Sequence, residues 1–382
     1  MLVEEFLDTK TLYYDEIDYT RMPRVYEKIK SKLPTPKIIH ILGTNGKGTT
    51  GRFLATAIFA QGKSVGHYTS PHILKFNERI WLNGSEISDE DLNKAHRELL
   101  GFLPKEDADA LSYFEYTTLL AMHIYRECEY VVLEAGLGGE HDATAVFPKT
   151  LTLVTPIDLD HEAFLGSSIE EISRTKLNAI TKQAIINKQE HESVYKVALE
   201  LEAEKSIIIR RVEKFIDESD NVKIVNISQE LMLAEYLVSN LRLAIAALNF
   251  LNIEYKESDF KESQLFGRLS HFAPNILVDV GHNVLAARKI EETLKSKKYV
   301  LVYNSYKDKD FKNILLTLKP IIDYVEIIAI EGERAASQEI LHETLRELEI
   351  TYKQFNKIEQ KNNYLVFGSF AVVESFLKAV SG

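Results

Sequence analysis

Gly43-Thr44-Asn45-Gly46-Lys47-Gly48-Thr49-Thr50 is the stretch on which the fold turns. An apolar run, Ile38-Ile39-His40-Ile41-Leu42, precedes it, and a helical pattern, Arg52-Phe53-Leu54-Ala55-Thr56-Ala57-Ile58, follows it. Strand, glycine-rich loop, helix is the setting in which backbone N–H groups and one lysine cradle phosphates. Gly43, Gly46 and Gly48 allow positive φ and close backbone approach, Lys47 brings charge, and Thr44, Thr49 and Thr50 bring hydroxyls. The strict phosphate-loop pattern is not met. Ile41 stands five residues before Gly46, where that pattern has glycine, and Gly48 follows Lys47, so the hydroxyl comes one place late at Thr49. The competing reading is an ordinary strand-to-helix turn rich in small residues. A nucleoside triphosphate is the first candidate ligand.

Outward from the loop the same alternation continues. Ser64 to Tyr68, Tyr130 to Glu134 and Thr150 to Val154 read as further strands, and Leu111 to Glu127 is helical in period. Short apolar runs separated by helices predict parallel strands covered on both faces. A long helix is expected from about Leu231 to Leu251. The pattern then restarts, with strands expected at Ile276 to Val280, Tyr299 to Tyr303, Tyr324 to Ile330 and Tyr364 to Phe367. This predicts an α/β protein: a phosphate-loop-type domain with a mainly parallel sheet over 1–267, then a smaller Rossmann-like α/β domain over 268–382. The Lys/Glu-rich region 182–223 has no clear period and is read as a surface excursion of the first domain.

The 382 residues suffice for two or three domains with a sizeable core. A net charge of −11 argues against a nucleic-acid or anionic-membrane surface. The single cysteine, Cys128, excludes an intrachain disulfide and reads as non-catalytic. The most apolar helical stretch, Leu241 to Leu251, is too short to span a bilayer. With no secretory signal at the start, a cytoplasmic protein acting as a monomer is expected.

Functional groups in open α/β sheets gather at the carboxyl ends of strands. Tyr68-Thr69-Ser70-Pro71-His72 follows the second strand, Glu134 ends the third, and Asp158, Asp160 and His161 follow the strand ending at Val154. A carboxylate placed like Glu134 suits Mg²⁺ bridging phosphate oxygens, or caps the next turn. Taken alone, Ser70 reads as a cap, and His161 is a poor match to Mg²⁺.

These residues together resemble the folylpolyglutamate synthase/dihydrofolate synthase family of the Mur ligase superfamily. The resemblance lies in Gly43 to Thr49, Ser70-Pro71-His72, Phe76-Asn77-Glu78-Arg79-Ile80, Phe114-Glu115, Leu133-Glu134 through Gly139, Asp142-Ala143-Thr144, Leu159-Asp160-His161 and Leu165-Gly166. Gly267-Arg268, Asp279-x-x-His282-Asn283 and Asp308-Lys309-Asp310 follow in order, so the match runs from about residue 12 onward. It implies an ATP-dependent amide ligase. ATP phosphorylates a carboxylate, and the amino group of L-glutamate attacks the acyl phosphate. By the family pattern Lys47, Glu134, His161 and Lys176 are catalytic. Ser70 and Glu134 hold one Mg²⁺, while His161 and a carbamylated Lys176 hold a second. Asn240 reads adenine, and Arg268, Asp279 and His282 close over the nucleotide. Ser70, Phe114, Glu115, His141, Asp142 and Ala143 face the pterin substrate, dihydropteroate or a reduced folate.

The chain departs from the family at several of these places. Arg174-Thr175-Lys176-Leu177-Asn178-Ala179-Ile180 stands where Glu-Lys-Ala-Gly-Ile is usual, so a plain solvated lysine is the alternative at 176. Glu140-His141, Ala145 and Val284 replace other usual residues and leave the preferred pterin open. Two alternatives stand beside the folate reading: a Mur-type ligase for a peptidoglycan precursor, and a nucleotide-binding member without turnover. Gly48 and the Phe76 to Ile80 segment favour the folate branch.

Overall fold

The computed structural model describes residues 1–11, 18–332 and 334–381; the start of the family resemblance, near residue 12, lies outside them. The chain divides into two compact units, Met1–Leu233 with Leu237–Ser263, and Ala234–Tyr236 with Gln264–Gly382. The cut thus falls at Ser263 rather than at 267. Gly267 goes with the second unit because its carbonyl accepts the Val280 amide at 3.0 Å.

The first unit is built on an eight-stranded sheet. In chain order its strands are β1 (Lys37–Leu42), β2 (Val65–Tyr68), β3 (Ile80–Leu82), β4 (Ser85–Glu86), β5 (Tyr130–Glu134), β6 (Leu151–Val154), β7 (Gln183–Ile186) and β8 (Ile208–Arg211). Their order is β4-β3-β2-β5-β1-β6-β7-β8, parallel from β2 to β8 and antiparallel only at β3 and β4. Ile38, Ile39, Ile41 and Leu42 of β1 are all buried, as a central parallel strand covered on both faces requires. The helix Lys47–Ala60 is buried continuously from Gly48 to Ile58. Burial on every side places this helix in the core, its polar Thr49, Thr50, Arg52 and Thr56 included. Truncating Leu54 there to Ala is expected to cost about 2–5 kcal/mol.

Register positions the site. β1 pairs β5 with Ile41 opposite Glu134, and β2 pairs β5 with Tyr68 opposite Leu133. On the other side Leu42 lies opposite Val154, and Val154 opposite Ile186. Gly43, Thr69, Glu134, Thr155 and Asn187 are therefore brought to one edge, where five of the six parallel strands end.

The second unit carries a six-stranded sheet. Its strands are β9 (Ser270–Ala273), β10 (Ile276–Val278), β11 (Tyr299–Tyr303), β12 (Ile322–Ile327), β13 (Tyr352–Gln354) and β14 (Tyr364–Phe367). The order is β13-β12-β11-β14-β10-β9, with only β9 antiparallel. Leu301, Leu365, Ile314, Leu318 and Phe367 form its core.

Two expectations are corrected. Region 182–223 is not an excursion: it supplies β7, a helix (Glu192–Lys205), β8 and the start of a further helix (Glu218–Glu230). β8 is the sheet edge, and its Ile-Ile-Arg-Arg sequence is mostly exposed, which blurs the apolar signal. The long helix runs Glu235–Phe250 rather than from Leu231. Leu231 to Leu233 is a turn in which Met232 has φ 50°, so the apolar run continues through a break in the helix. Among the described residues no helix is long and apolar enough to cross a membrane.

Candidate active site

The loop leaving β1 is tied from behind. Its Thr44 and Asn45 amides both donate to the Pro156 carbonyl, at 2.9 and 3.4 Å. The Thr44 hydroxyl donates to the Asp158 carbonyl and accepts the Asp158 amide, each at 3.1 Å. These bonds turn the first two loop amides away from a ligand and leave the following helix terminus to face it. Gly46 has φ 87°, and a Cβ there would collide with the Asn240 side-chain oxygen, so both backbone conformation and space demand glycine. Asn240 is thereby set against the loop from the helix Glu235–Phe250.

Lys47 opens its helix, and the first turn of any helix leaves amides with no intrahelical acceptor and a positive dipole end. The Lys47 ammonium lies 3.8 Å from Glu134 Oε1, with the glutamate side chain only 5% exposed. Glu134 Oε2 accepts the Thr69 hydroxyl, and the Ser70 amide at 3.2 Å. One carboxylate oxygen is thus fixed by β2's exit loop while the other faces Lys47. Among the described residues the buried hydroxyls of Thr49 and Thr50 find no hydrogen-bond partner. Buried polar groups are normally satisfied, and hydroxyls left over beside a phosphate-type loop suit an oxygen-rich ligand.

Lys176 joins the group from the helix Ile169–Leu177. It is 4% exposed. Its ammonium donates to the Gly43 carbonyl at 3.0 Å. Burial and the neighbouring Lys47 charge pull its pKa down to about 7, against the pull of Asp160 and Asp142. Gly139 is a glycine for a packing reason, because a Cβ there would strike the Lys176 backbone carbonyl. His161, at φ 55°, heads the short helix Glu162–Leu165; its amide donates to Asp160 Oδ1 at 2.9 Å, and its Nε2 lies 3.8 Å from Asp160 Oδ2.

The residues expected at a pterin pocket divide. Phe114 packs under Gly136 and lies 5.8 Å from the Tyr68 ring. Glu115 is engaged within the protein: its carboxylate accepts the Ser112 amide at 2.8 Å and the Arg21 guanidinium at 2.7 Å, closing a helix cap. His141 is exposed, with its ring 4.5 Å from that of Tyr19. Asp142 is buried and engaged: Oδ2 accepts the Leu137 amide at 2.8 Å, and Oδ1 accepts the amide and hydroxyl of Thr144. Its pKa is raised by burial, opposed by those bonds. Ala143 is buried at the start of the short 3₁₀ turn that Asp142 caps. Thr69, Pro156 and Arg21 carry much of this geometry and were not singled out from sequence. Only Thr69, adjacent to Ser70, sat in a stretch that drew attention.

In the second unit Asp279 follows β10. Its Oδ2 accepts the Tyr236 hydroxyl (2.9 Å) and the Leu269 amide (2.8 Å), and Oδ1 accepts the Gly281 amide (2.7 Å). Burial raises its pKa while the Arg268 guanidinium opposes the rise. Arg268 also donates to the Gly267 carbonyl at 3.1 Å and lies 5.2 Å from the Phe370 ring. His282 Nδ1 donates to the Val280 carbonyl at 3.2 Å.

No set of three or more His, Cys, Asp or Glu side chains among the described residues could by itself cage a metal. Mg²⁺ does not need such a cage, since it keeps waters and takes phosphate oxygens alongside one or two carboxylates. Glu134, with Ser70 beside it and the Thr49 hydroxyl unpartnered, fits that requirement.

Comparison with known proteins bears on the same arrangement. Comparison with models of protein families gives no match. The crystal structure of Helicobacter pylori folylpolyglutamate synthetase is 38% identical, with TM-score 0.80, covering 99% of this chain and 98% of that one. Dihydrofolate synthase/folylpolyglutamate synthase of Buchnera aphidicola (Schizaphis graminum) is 30% identical over 372 residues, 88% of this chain and 86% of the relative. The bifunctional folylpolyglutamate synthase/dihydrofolate synthase of Yersinia pestis, complexed with AMPPNP and Mn ion, is 25% identical, with TM-score 0.80 over 99% of this chain and 97% of that one.

Two α/β units of this kind, with a lysine and a carboxylate facing each other at a glycine loop, define an ATP-dependent, amide-forming ligase of Mur ligase-like fold. Within that class the chain belongs to the dihydrofolate synthase/folylpolyglutamate synthase family.

Proposed function

We propose that this chain joins L-glutamate to dihydropteroate, to a reduced folate, or to both, at the expense of ATP, on the strand-end edge of the first unit. The observation that carries the reading is the approach of Lys47 to Glu134, at 3.8 Å, beside the loop that ends β1. Lys47 and the helix terminus receive the triphosphate, and the Thr49 and Thr50 hydroxyls find their missing partners there. Asn240 offers a donor and an acceptor to the base from the same side. The AMPPNP and Mn ion bound by the Yersinia pestis relative support a nucleotide with a divalent cation.

The chemistry proceeds in two displacements. A carboxylate oxygen of the pterin substrate attacks the γ-phosphorus, and the bond to the bridging oxygen of ADP breaks. The glutamate amine then attacks the acyl carbon, phosphate leaves with the electron pair of the C–O bond, and the amine proton passes to solvent or phosphate. In such a transfer the protein acts mainly by positioning and electrostatics. Lys47 supplies positive charge where negative charge accumulates. Glu134 and Ser70 would hold Mg²⁺, which supplies further charge neutralisation at the phosphates. Lys176 is suited to carbamylation, because its amine is buried and neutral in part near pH 7, and only the neutral amine adds to CO₂. As a carbamate it would offer oxygen to a second Mg²⁺ beside His161.

Phe114, with His141, Asp142 and Ala143, is assigned to the pterin side. Phe114 presents a ring next to Gly136, and Asp142 acts by holding the backbone of that turn. Arg268, Asp279 and His282, gathered in the second unit, are assigned to the nucleotide from that unit. A monomer in the cytoplasm is the expected state.

The test is a substrate panel. Purified protein is given ATP, glutamate and either dihydropteroate or tetrahydrofolate, and ADP release and product mass are measured. Pterin-dependent ADP release is expected with at least one acceptor; none with any acceptor would remove the assignment.

A further inference from the structure

The segment that follows β7, residues 187–191, touches the nucleotide loop's supports at three points. Gln189 is buried, and its side-chain amide is fully used. Nε2 donates to the Thr155 carbonyl at 3.3 Å and the Asn187 carbonyl at 2.9 Å, and Oε1 accepts the Ile157 amide at 2.9 Å. Thr155 and Ile157 flank Pro156, whose carbonyl holds the amides of Thr44 and Asn45. One side chain thus clamps the peptide on either side of the carbonyl that shapes the loop. Thr155 also packs directly on Gly43, where a Cβ would collide with its hydroxyl.

Asn187 is 1% exposed and works in the other direction. Its amide donates to the Ser239 carbonyl at 3.1 Å and the Ser239 hydroxyl at 3.0 Å, one residue before Asn240. His191 Nε2 lies 3.0 Å from Asp158 Oδ1, and the Asp158 backbone pairs with the Thr44 hydroxyl. The same five residues therefore reach the back of the loop and the helix that sets Asn240 against Gly46.

We propose that Gln189, seconded by Asn187, is a positioning residue for nucleotide binding: it fixes the Thr155–Ile157 peptide, and through Pro156 the Gly43–Asn45 turn, without touching the ligand. This rests on the reading of the loop as the triphosphate site. Amides held by side chains in a buried setting are costly to leave unpaired, so replacement by an apolar side chain of the same length releases the turn. The loss falls on the substrate that needs the turn preformed.

The experiment measures separate KM values for ATP, glutamate and dihydropteroate in wild type, Gln189→Met and Gln189→Glu, with calorimetric binding of a non-hydrolysable ATP analogue to each. Gln189→Met is expected to raise KM for ATP and weaken the analogue about tenfold, the size of one lost buried hydrogen-bonding group, while the other two KM values stay within about twofold. Gln189→Glu keeps the acceptor for Ile157 but sets a buried carboxylate oxygen against the Thr155 and Asn187 carbonyls, and should weaken the analogue at least as much as Gln189→Met. If Gln189→Met does not fold, by circular dichroism, Asn187→Ser is expected to give the same ATP-selective pattern through Ser239. Equal analogue binding by wild type and Gln189→Met, or a uniform rise in all three KM values, would overturn the proposal. Failure of wild type itself to bind the analogue would instead sink the triphosphate reading, and this inference with it.

Discussion

The loop after β1 and the turn after β10 have the same construction. Each follows a buried parallel strand, contains a glycine, and leads into a helix, Lys47–Ala60 in one case and Val284–Leu294 in the other. Their polar groups are in opposite states. At the first, the buried Thr49 and Thr50 hydroxyls have no partner among the described residues, and a lysine faces a carboxylate without closing to hydrogen-bond distance. At the second, the Asp279 carboxylate is consumed by three donors of its own unit. Topology places both turns at a sheet edge; the first leaves polar groups over for a ligand, while at the second the Asp279 carboxylate holds its own turn in shape. Mutations should therefore separate: the main loss is of turnover at the first and of stability at the second.

The largest effect is expected at the loop. Lys47→Ala and Glu134→Ala should each lower kcat by roughly 10³-fold or more in ADP release, the scale of removing a charge from a preorganised phosphoryl-transfer site. The Lys47→Ala denaturation midpoint should stay close to wild type, whereas Glu134→Ala also removes the buried acceptor of the Thr69 hydroxyl and Ser70 amide and should lower it. Wild-type turnover in either variant would break the comparison at its first arm.

Lys176→Ala should come next, with kcat down by about 10²-fold or more if the lysine supplies a carbamate oxygen to a metal. Carbon-13 NMR with labelled bicarbonate should show a carbamate signal in wild type and none in the variant. Adduct formation should strengthen as pH rises through about 7, where the buried amine loses its proton. A wild-type spectrum without a carbamate would reassign Lys176 to its bond with Gly43.

Asp279→Ala should cost about 2–4 kcal/mol of unfolding free energy, because Tyr236 and two amides lose a shared buried acceptor. Urea unfolding measures it; a change below about 0.5 kcal/mol would show that the turn does not depend on that carboxylate.

The smallest and broadest effect is acid sensitivity in the first unit. His40 and His67 are buried, and burial depresses both pKa values well below their ordinary level, with Lys149 and Arg52 adding to it. His72 is held down to about 4 by burial and by Arg79. The unfolded chain binds protons at these sites once pH falls below about 6.5, and the folded chain does not. Their stabilisation is therefore complete above that pH and declines as pH falls, by up to about 1.4 kcal/mol per unit for each histidine. His67→Asn should flatten the slope of stability against pH between 6 and 5; an unchanged slope would show that His67 takes up its proton in the folded state.

Much of the fold was legible because its signals are local. β1, β5 and β6 are short apolar runs of five or so residues, and the glycines at 43 and 46 mark the loop between strand and helix. Glu134 stood out as a carboxylate ending such a run. Other features could not be read that way. β8 is half charged because it is an edge, and Met232 breaks a helix inside an unbroken apolar pattern. Glu115 and Asp142 look like site carboxylates in sequence, yet their oxygens go to a helix cap and a backbone turn. Nothing near Gln189 in the chain announces that it clamps residues more than thirty positions away.

The order of residues alone settled that strands and helices alternate, that a glycine loop with Lys47 ends the first strand, and which family the chain resembles. Periodicity and turn chemistry act over a few residues, so one segment suffices to express them. Which side chains meet, and which polar groups stay unsatisfied, was decided only on folding. Parallel register brought Gly43, Thr69, Glu134, Thr155 and Asn187 to one edge, and hydrogen bonds across distant segments then determined which groups were left for a ligand.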